Sequence, residues 1–393
     1  MLSLSCITYE PSWSPLASLK RVRFGADSRE PKSANRMFIL GMGFVGNCFG
    51  EHLKTQGWDV SGTCTSIVKK KKLEDKGFDA YHFDANEPEW GILDVLKCHT
   101  HLLVSIPPFV GIGDPMLQHE ELLKNGLMDG NLQWLCYLSS TSAYGNCGGE
   151  WVDEDYPASP ISELSKLRLA AEERWLNLGS NLGIAAHIFR LGGIYGPGRS
   201  AVDTIIKREA LSEGQRRRTF RLYTSRIHVE DLCQALQASF CTSSPRKVYN
   251  IVDDDPAPRE EVFAYAQNLI EKKWPAQITR IPEQEESLAT VKKKGFAAEK
   301  RVSNARMKKE LGVRLLHPSY RTGLKSVIDQ MHNPFHHNSR MSGGQRPRRK
   351  PRDRRGIGYR LLKVFPRRKW VEKDCLGIAK TVRSCYGILL FSG

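Results

Sequence analysis

Several features that mark other classes of protein are missing from this 393-residue sequence. The longest apolar runs, such as His101 to Val110, are too short to cross a bilayer core of about 30 Å as a helix, so no membrane span is expected. The ten cysteines include no C-x-x-C pair, and His187 and His228 lie in strand-like segments, away from metal-ligand spacing. We therefore expect reduced thiols, no disulfide framework and no metal site.

The folded body has no surplus of either charge, although the whole chain carries +16. Residues 334–393 contain 16 Lys/Arg and 3 Asp/Glu, residues 1–36 contain 6 and 3, and residues 37–333 contain 37 of each sign. A nucleic-acid-binding fold usually has its positive charge on the folded body. The basicity therefore belongs to the ends, which argues against a nucleic-acid-binding fold.

The C-terminal tail is the one segment whose composition suits nucleic acid. Arg346–Arg355 has seven basic residues in ten, enough for non-specific, salt-dependent binding of RNA. The tail has no aromatic stacking platform and no RNA-recognition motif. Nucleic-acid binding is not expected except through this tail, and a divergent, non-native chain end is the alternative interpretation of the tail.

Short apolar runs alternate with longer helical stretches from Met37 onward, the pattern of repeated βαβ units. Strands are predicted at 38–40, 58–64, 78–83, 100–105, 134–139 and 184–191, with helices at 45–56 and around 69–76. Such spacing requires a parallel sheet with right-handed crossovers. The sequence predicts an α/β fold with a Rossmann-type doubly wound parallel sheet, and the shorter charged elements after Gly198 predict a small C-terminal substrate lobe.

A glycine pattern, G-x-G-x-x-G, follows the first predicted strand and opens the first helix. Gly41 permits a tight turn, Gly43 lets the backbone approach a pyrophosphate, and Gly46 lets the helix pack closely; Phe44 and Val45 complete the turn. The helix N-terminus offers free N–H groups to phosphates. This context predicts a site for NAD or NADP, and a glycine turn without a ligand is the alternative.

The end of the second predicted strand bears on the choice between these cofactors. An NAD site usually has Asp or Glu there to accept from the ribose 2′-hydroxyl. This sequence has Thr65 and Ser66 instead, with Lys69–Lys72 beyond. Hydroxyls and lysines suit a 2′-phosphate, so NADP is favoured over NAD, although such a lysine run also suits a solvated helix face.

Further motifs resemble the extended short-chain dehydrogenase/reductase superfamily. They are Tyr137–Gly145 (YLSSTSAYG), Arg190–Arg199 (RLGGIYGPGR), Arg226–Leu232 (RIHVEDL), Val248–Asp253 (VYNIVD) and Lys300–Asn304 (KRVSN). Together they are similar to the atypical NAD-dependent epimerase/dehydratase-like proteins of the YeeZ type. The resemblance runs from about residue 37 to residue 330.

The resemblance implies roles for residues beyond the glycine turn. Asp84 matches the acid that contacts the adenine amino group, and Ser105 begins the segment that flanks the nicotinamide ribose. Ser140 matches the catalytic hydroxyl that bonds a substrate oxygen, and Lys166 matches the lysine that holds the ribose hydroxyls. Arg226 and His228 match substrate-lobe positions that suit an anionic, nucleotide-sugar-like substrate.

Each of these residues also has a structural interpretation that the sequence leaves open. Ser140 can satisfy backbone groups at a strand end, and Lys166 can lie on a solvated helix face. Asp84 can serve as a turn or cap residue. Arg226 can pair with Glu230 or Asp231 within its own motif.

One departure from the superfamily pattern affects the chemistry. The superfamily's catalytic tyrosine lies four residues before the lysine, one helical turn away. Here that position is Ser162, a poor substitute because the pKa of a serine hydroxyl is far above tyrosine's value of about 10. Tyr144 and Tyr195 are the alternative phenols, and both belong to structural motifs, so the proton donor is left unassigned.

These observations divide the chain into four predicted segments. Residues 1–36 resemble a chloroplast transit peptide, with mitochondrion, cytoplasm or a plain disordered tail as alternatives. Residues 37–200 form the NAD(P)-binding domain, residues 201–330 the remaining sheet elements and the substrate lobe, and residues 331–393 a basic, disordered tail.

Two functions from different classes follow. The first is an oxidoreductase or epimerase that moves hydride between the nicotinamide and a hydroxyl or carbonyl carbon of an unknown small-molecule substrate. The second is an NAD(P)-binding regulator or scaffold without turnover. Such a protein could associate with RNA through the basic tail. A homodimer is the oligomer that the resemblance suggests.

Overall fold

A computed structural model describes residues 35–84, 90–207, 221–242, 244–275 and 299–335. All of them belong to one unit of the chain. The predicted targeting segment before residue 35 and the basic tail after residue 335 lie outside these residues. Within the described ranges, no helix has the length and apolar character needed to cross a bilayer, and none of the seven cysteines is paired in a disulfide.

Seven parallel strands form the central sheet. They are β1 (Arg36–Leu40), β2 (Asp59–Cys64), β3 (Asp79–His82), β4 (His101–Val104), β5 (Trp134–Ser140), β7 (Ala185–Leu191) and β10 (Arg246–Ile251). Their spatial order is β10-β7-β5-β4-β1-β2-β3. The strands β2 and β3 are added on one side of β1, and the later strands on the other side, so the order of strands reverses between β1 and β4. Ligands bind at the carboxyl ends of the strands at such a switch point. The predicted fold class is confirmed.

Two short parallel pairs complete the β-structure of the described residues. The strands β6 (Trp151–Val152) and β11 (Arg301–Val302) form one pair, and β8 (Gly193–Tyr195) and β9 (Arg226–His228) form the other. Along the chain, β6 follows β5 and β8 follows β7, so one strand of each pair comes after the carboxyl end of a strand of the main sheet. They join late parts of the chain to the loops that follow β5 and β7.

Ten α-helices occur in the described residues. They are α1 (Phe44–Thr55), α2 (Ile67–Glu74), α3 (Ile92–Leu96), α4 (Glu120–Leu127), α5 (Glu163–Leu182), α6 (Ala201–Lys207), α7 (Val229–Ala238), α8 (Arg259–Lys273), α9 (Ala305–Leu311) and α10 (Tyr320–Gln330). The predicted helices at 45–56 and 69–76 correspond to α1 and α2. The helix α2 begins earlier than predicted because Ser66 caps it at its N-terminus.

The helices cover both faces of the sheet, as a fully buried parallel sheet requires. One apolar cluster joins α1 and α7 to the sheet through residues such as Phe49, Leu53 and Leu236. A second joins α3, α4 and α5 to the other face through residues such as Leu93 and Trp175. Burial on both faces explains why the strands read as continuous apolar runs.

A third apolar cluster forms the small lobe that the sequence predicted. It joins α6, α8 and α10 through Val202, Val262, Ala266, Leu324 and Ile328. The segment between α7 and α8 returns to the main sheet as β10, which pairs with β7 in parallel. The lobe is therefore interleaved with the sheet in the chain path.

Candidate functional site

The glycine turn joins β1 to α1 at the carboxyl edge of the sheet. Gly41 has φ +97°, a conformation that favours glycine. A Cβ there would lie 3.1 Å from Ile106 Cγ1, in the segment that follows β4. A Cβ at Gly46 would lie only 2.6 Å from the carbonyl oxygen of Gly41. The tight turn and the close helix packing expected of these two glycines agree with this geometry.

The start of α1 has the features of an anion site. Gly43 is its N-cap and provides no side-chain cap, and the first turn contains no acidic residue. A Cβ on Gly43 would have only the Gly41 carbonyl oxygen nearby, at 4.0 Å, so the space before the helix is open. The N–H groups of Phe44 and Val45 have no partner inside the helix, and the helix dipole favours negative charge here. This arrangement suits a pyrophosphate.

Two polar side chains that the sequence analysis missed hold the turn in shape. Asn47 Nδ2 donates to the carbonyl oxygens of Met42 and Gly43, at 2.8 and 2.7 Å. Thr63 Oγ1, at the end of β2, accepts from Gly41 N at 2.8 Å. The glycine spacing carries no signal for either residue, because one lies inside the helix and the other on the next strand.

The end of β2 presents hydroxyls where an NAD site usually has a carboxylate. Thr65 and Ser66 are both exposed. Ser66 Oγ accepts from Lys69 N at 3.3 Å and caps α2, and the first turn of α2 has no acidic residue. The predicted 2′-phosphate contacts of Thr65 and Ser66 stay predictions, since the cap uses only one acceptor site of the Ser66 hydroxyl.

Asp84 and Ser105 lie on opposite sides of the glycine turn. Asp84 is exposed and follows β3, next to the end of β2, because Phe83 N donates to the Cys64 carbonyl oxygen at 3.0 Å. Ser105 follows β4 and is half-buried, and its N–H donates to the Leu40 carbonyl oxygen at 2.9 Å. Asp84 follows β3 on the β2 side of the turn and Ser105 follows β4 on the other side, and their predicted contacts with the adenine and the nicotinamide ribose stay predictions.

Ser140 ends β5, the strand next to β4, and caps a short 3₁₀ helix over Thr141–Tyr144. Its Oγ accepts from Ser142 N at 3.2 Å. The strand-end interpretation of this hydroxyl is thus realised. Because Ser140 Oγ accepts in that bond, its own proton is still available for a substrate oxygen, so the capping role and the predicted catalytic role are compatible.

The serine at the usual tyrosine position has a structural task. Ser162 is the N-cap of α5: its Oγ accepts from Ser165 N at 3.2 Å and lies 2.6 Å from Ser165 Oγ. Lys166 is exposed in the first turn of α5, with its N–H donating to the Ser162 carbonyl oxygen at 3.0 Å. The position of the superfamily's tyrosine is therefore the N-cap of α5 in this protein. Cofactor binding by Lys166 stays a prediction.

Neither alternative tyrosine offers a free phenol. Tyr144 is fully buried, and its hydroxyl donates to Asn250 Oδ1 at 2.8 Å; burial raises the pKa of Tyr144 to about 12. Tyr195 is buried too, with its hydroxyl 3.5 Å from the Ser319 carbonyl oxygen, and burial raises its pKa. A high pKa and buried surroundings fit packing rather than proton transfer at neutral pH.

The two residues matched to substrate contacts, Arg226 and His228, are buried. Arg226 donates through Nη1 to the Thr224 carbonyl oxygen at 2.6 Å and through Nη2 to the Ala257 carbonyl oxygen at 2.9 Å. These backbone groups, and not Glu230 or Asp231, are the partners that the structure gives it. Contact of Arg226 with a substrate stays a prediction.

His228 ends β9 and caps α7. Its Nδ1 accepts from Glu230 N at 3.3 Å, and its ring lies edge-on to Tyr195 with centroids 5.2 Å apart. Burial, with a contribution from the neighbouring His317, lowers the pKa of His228 to about 4. The ring is therefore neutral at physiological pH and fixed in orientation. Its predicted contact with a substrate also stays a prediction.

Arg199 is an exposed cation at the glycine turn to which the sequence analysis gave no role. Its guanidinium carbon lies 5.2 Å from the centroid of the Phe44 ring, at the start of α1. Phe44 packs in turn near Gly196, where a Cβ would lie 3.4 Å from the ring. The loop after β8 therefore brings positive charge to the anion site, in a contact between residues far apart in sequence.

Buried polar contacts fix the segment after Ser140. Ser139 Oγ donates to Glu172 Oε1 at 2.5 Å, and Arg190 Nη2 donates to Glu172 Oε2 at 2.8 Å, all three residues being buried. At the end of the same segment, Lys300 Nζ donates to the Gly145 carbonyl oxygen at 2.7 Å. Burial lowers the pKa of Lys300. These contacts fix both ends of the segment Ser140–Gly145, the first through Ser139 and the second through the Gly145 carbonyl oxygen.

Comparisons with known proteins agree with this geometry. No family model matches the chain. Protein YeeZ of Escherichia coli K12 is 28% identical over 223 residues, which cover 55% of this chain and 77% of YeeZ. A functionally unknown conserved protein from Silicibacter pomeroyi, of solved structure, is 32% identical, covering 75% of this chain and 99% of that one, with a TM-score of 0.59.

The similarity in fold extends to enzymes of distant sequence. The structure of UDP-glucuronic acid 4-epimerase from Bacillus cereus in complex with NAD is 15% identical, covers 75% of this chain and 96% of that one, and has a TM-score of 0.56. At that identity the likeness concerns the fold alone. The chain is therefore similar in sequence to YeeZ and to the Silicibacter pomeroyi protein, and it shares its fold with NAD-dependent epimerases.

Proposed function

We propose that this protein binds a nicotinamide dinucleotide along the carboxyl edge of its sheet and acts as an oxidoreductase or epimerase. The observation that carries the proposal is the open, uncapped start of α1 at Gly43, with Ser140 two strands away on the same edge. The bound dinucleotide supplies or accepts hydride at nicotinamide C4. The substrate carbon is one that bears a hydroxyl or carbonyl group.

The positions of the site residues give the dinucleotide its direction. Its pyrophosphate would lie against the first turn of α1, next to the Arg199 guanidinium. Its adenosine would extend towards Thr65, Ser66 and Asp84, and its nicotinamide towards Ser105. We propose NADP over NAD, because Thr65 and Ser66 follow β2 where an NAD site usually has a carboxylate, and α2, which comes next, contains four lysines.

Ser140 has the geometry to orient a substrate oxygen. Its Oγ accepts from Ser142 N, which fixes the oxygen position and does not use the hydroxyl proton. Donors held in place before the reaction act without the cost of reorganisation. We propose that Ser140 donates to the reacting oxygen. The bound substrate would resemble a nucleotide sugar, since the Bacillus cereus epimerase of similar fold acts on UDP-glucuronic acid.

A second candidate function is a dinucleotide-binding regulator without turnover. The observation that favours it is the capping role of Ser162, which removes the phenol from the usual place and commits the replacement hydroxyl to Ser165. Such a protein would keep the glycine turn and lose the proton donor. Turnover separates the two functions.

Calorimetric titration of the full chain with NADPH, NADP and NADH tests the binding site. Gly43→Asp adds a negative charge where the pyrophosphate would lie, while aspartate remains a good helix cap, so we expect binding to be lost and stability to be kept. Gly91→Asp is the matched control, because Gly91 caps α3 with nothing within 4 Å of its added Cβ. Equal binding by wild type and Gly43→Asp, or none by either, would refute the site.

Turnover is tested by following NADPH absorbance with a panel of carbonyl compounds and UDP-sugars. We expect Ser140→Ala to reduce kcat by about 100-fold or more, as loss of an oriented donor does elsewhere. Ser180→Ala is the control: it removes an exposed hydroxyl that donates only to the Leu176 carbonyl oxygen, far along α5. Dinucleotide binding without any turnover would favour the regulator.

A further inference from the structure

A cluster of three metal-binding side chains lies at the start of α7, separate from the glycine turn and Ser140 in the chain. His228 and Glu230 come from the turn into α7, and His317 comes from the segment before α10. One ring nitrogen of each histidine and one carboxylate oxygen lie within 4.8 Å of one another. The function proposed above uses none of these groups as a set.

The distances within the cluster suit a small cation. His317 Nε2 lies 2.9 Å from Glu230 Oε2, and His228 Nδ1 lies 3.7 Å from the same oxygen. Ligand atoms at about 2.0–2.1 Å from a tetrahedral zinc ion are about 3.3 Å apart. The two separations fall on either side of that value, and the shorter is a hydrogen bond between His317 Nε2 and the Glu230 carboxylate that a bound ion would replace.

The three side chains are held in place before any ion binds. The carboxylate of Asp231 accepts from Leu316 N at 2.6 Å and from His317 N at 3.0 Å, which fixes the backbone that carries the His317 ring. The His317 and His228 rings meet edge to face with centroids 4.0 Å apart. Outer contacts of this kind orient ligands in metal sites.

His228 is the buried member of the cluster, only 1% exposed. Its Nδ1 accepts from Glu230 N at 3.3 Å, a long hydrogen bond, and its Nε2 has no hydrogen-bond partner among the described residues. Because Nδ1 accepts in that bond, the ring proton lies on Nε2, and Nδ1 is the nitrogen on the side of the Glu230 carboxylate, 3.7 Å from Oε2. An ion at Nδ1 would replace this long hydrogen bond and leave the Nε2 proton where it is.

The cluster is open to solvent on one side. The Glu230 side chain is 45% exposed, and that of His317 is 10% exposed. A cation can therefore reach the carboxylate first and then the two rings. Two imidazoles and one carboxylate leave a fourth position for water, and nitrogen ligands favour zinc and similar transition metals over magnesium or calcium.

We propose that His228, Glu230 and His317 bind one divalent transition-metal ion, zinc being the best match, and that the ion fastens the segment before α10 to the start of α7. The helix α10 packs in the small lobe with α6 and α8, whereas α7 packs on the sheet. The ion would therefore link the lobe to the sheet. The expectation of no metal site rested on ligand spacing along the chain, and 87 positions separate Glu230 from His317.

The experiment uses the full chain without an affinity tag, stripped with a chelator and titrated with zinc chloride. We expect one zinc ion per chain by elemental analysis after dialysis, and an increase in Tm on adding zinc. Glu230→Gln and His317→Gln each remove one of three protein ligands, so we expect zinc affinity to fall by about 100-fold or more and the increase in Tm to vanish. Cobalt(II) in place of zinc should give the visible absorption of a tetrahedral site.

His119→Gln is the matched control, because His119 is exposed and lies outside the cluster. It should bind zinc as the wild type does. Glu230→Gln keeps the proposal testable if His317→Gln fails to fold, since the Glu230 side chain is partly exposed on the first turn of α7. The proposal is overturned if the stripped wild type takes up no zinc, or if Glu230→Gln retains zinc with unchanged affinity.

Discussion

Two regions of the carboxyl edge differ in how their polar groups are used: the glycine turn, here called the binding end, and the region of Ser140 and Ser162, here called the chemical end. At the glycine turn, Asn47 and Thr63 bond the backbone of the turn and leave the first N–H groups of α1 to an outside anion. At the other end, the hydroxyls of Ser140 and Ser162 cap helices of the protein itself. The binding end therefore keeps free N–H groups for a ligand, whereas at the chemical end the Ser162 hydroxyl caps α5. Dinucleotide binding can thus persist where the usual proton donor has gone.

The largest expected effect comes from adding one methyl group to the glycine turn. The Cβ of Gly46→Ala would lie 2.6 Å from the Gly41 carbonyl oxygen, so α1 must move. We expect the free energy of unfolding to fall by about 3 kcal/mol, with loss of dinucleotide binding. Denaturant unfolding and calorimetry measure the two quantities.

Gly43→Ala provides the matched comparison for that result. Its Cβ would have a single neighbour, at 4.0 Å, so we expect the free energy of unfolding to change by less than about 1 kcal/mol. Equal destabilisation by the two variants would show that the turn is not tightly packed under α1. The contrast between a rigid turn and an open ligand face would then be wrong.

Acid should weaken both ends of the edge together. His101 lies in β4, between the strands of the two regions, and burial lowers its pKa to about 4. As pH falls from 6.5 towards 4, the unfolded chain takes up a proton that the folded protein does not. Stability is therefore complete above pH 6.5 and lost below it, by about 1.4 kcal/mol per pH unit for each such histidine.

Denaturant unfolding across that range measures the loss, with dinucleotide binding measured in parallel. His101→Phe should reduce the slope, since phenylalanine has no proton to gain and suits the contacts with Trp58 and Trp134. An unchanged slope would assign the loss to other buried histidines. Loss of dinucleotide binding at a higher pH than global unfolding would show that the two regions do not share one cooperative core.

The sequence predicted the sheet better than it predicted the tasks of single hydroxyls. Strands buried on both faces need apolar runs, so the limits of six of the seven strands could be predicted within a few residues, whereas their order in the sheet could not. A serine pattern gives no such constraint, because Ser66, Ser140 and Ser162 suit both a ligand and a helix cap. The geometry showed that all three are caps.

Contacts between distant parts of the chain were beyond the sequence patterns. Asn47 bonds carbonyl oxygens that no motif identifies, and Arg199 reaches Phe44 from the loop after β8. The hydrogen-bond partners of Arg226 are the Thr224 and Ala257 carbonyl oxygens, which a side-chain pattern does not reveal, and not the alternatives Glu230 and Asp231. A sequence motif records the spacing of residues along the chain, whereas these contacts depend on where the loops lie in the folded protein.

A smaller effect is expected from removing the cap at the chemical end. Ser162→Ala loses the hydrogen bond from Ser165 N, so we expect the free energy of unfolding to fall by about 1 kcal/mol with dinucleotide binding unchanged. Ser162→Asp should keep the stability, since aspartate caps equally well. If Ser162→Asp and Ser162→Ala abolish turnover alike while both remain folded, the hydroxyl has a chemical role that the capping geometry does not explain.

The smallest expected effect is at Arg199. Because its guanidinium is exposed, Arg199→Ala should weaken dinucleotide binding by about fivefold, with the difference shrinking at high salt. Calorimetry at low and high ionic strength measures it. Arg246→Ala, which removes another exposed cation at the start of β10, is the control and should leave binding unchanged. An equal loss in both variants would mean that only the overall charge matters.

The contact between Lys300 and Gly145 also bears on the order in which the protein is made. Ser140–Gly145 is translated early, yet its last carbonyl oxygen receives its partner only from residue 300, and β6 pairs only with β11. A ribosome must therefore deliver most of the folded body before this segment is complete. A chain terminated before residue 300 would lack both contacts, so the segment that carries Ser140 is among the last parts of the protein to be completed.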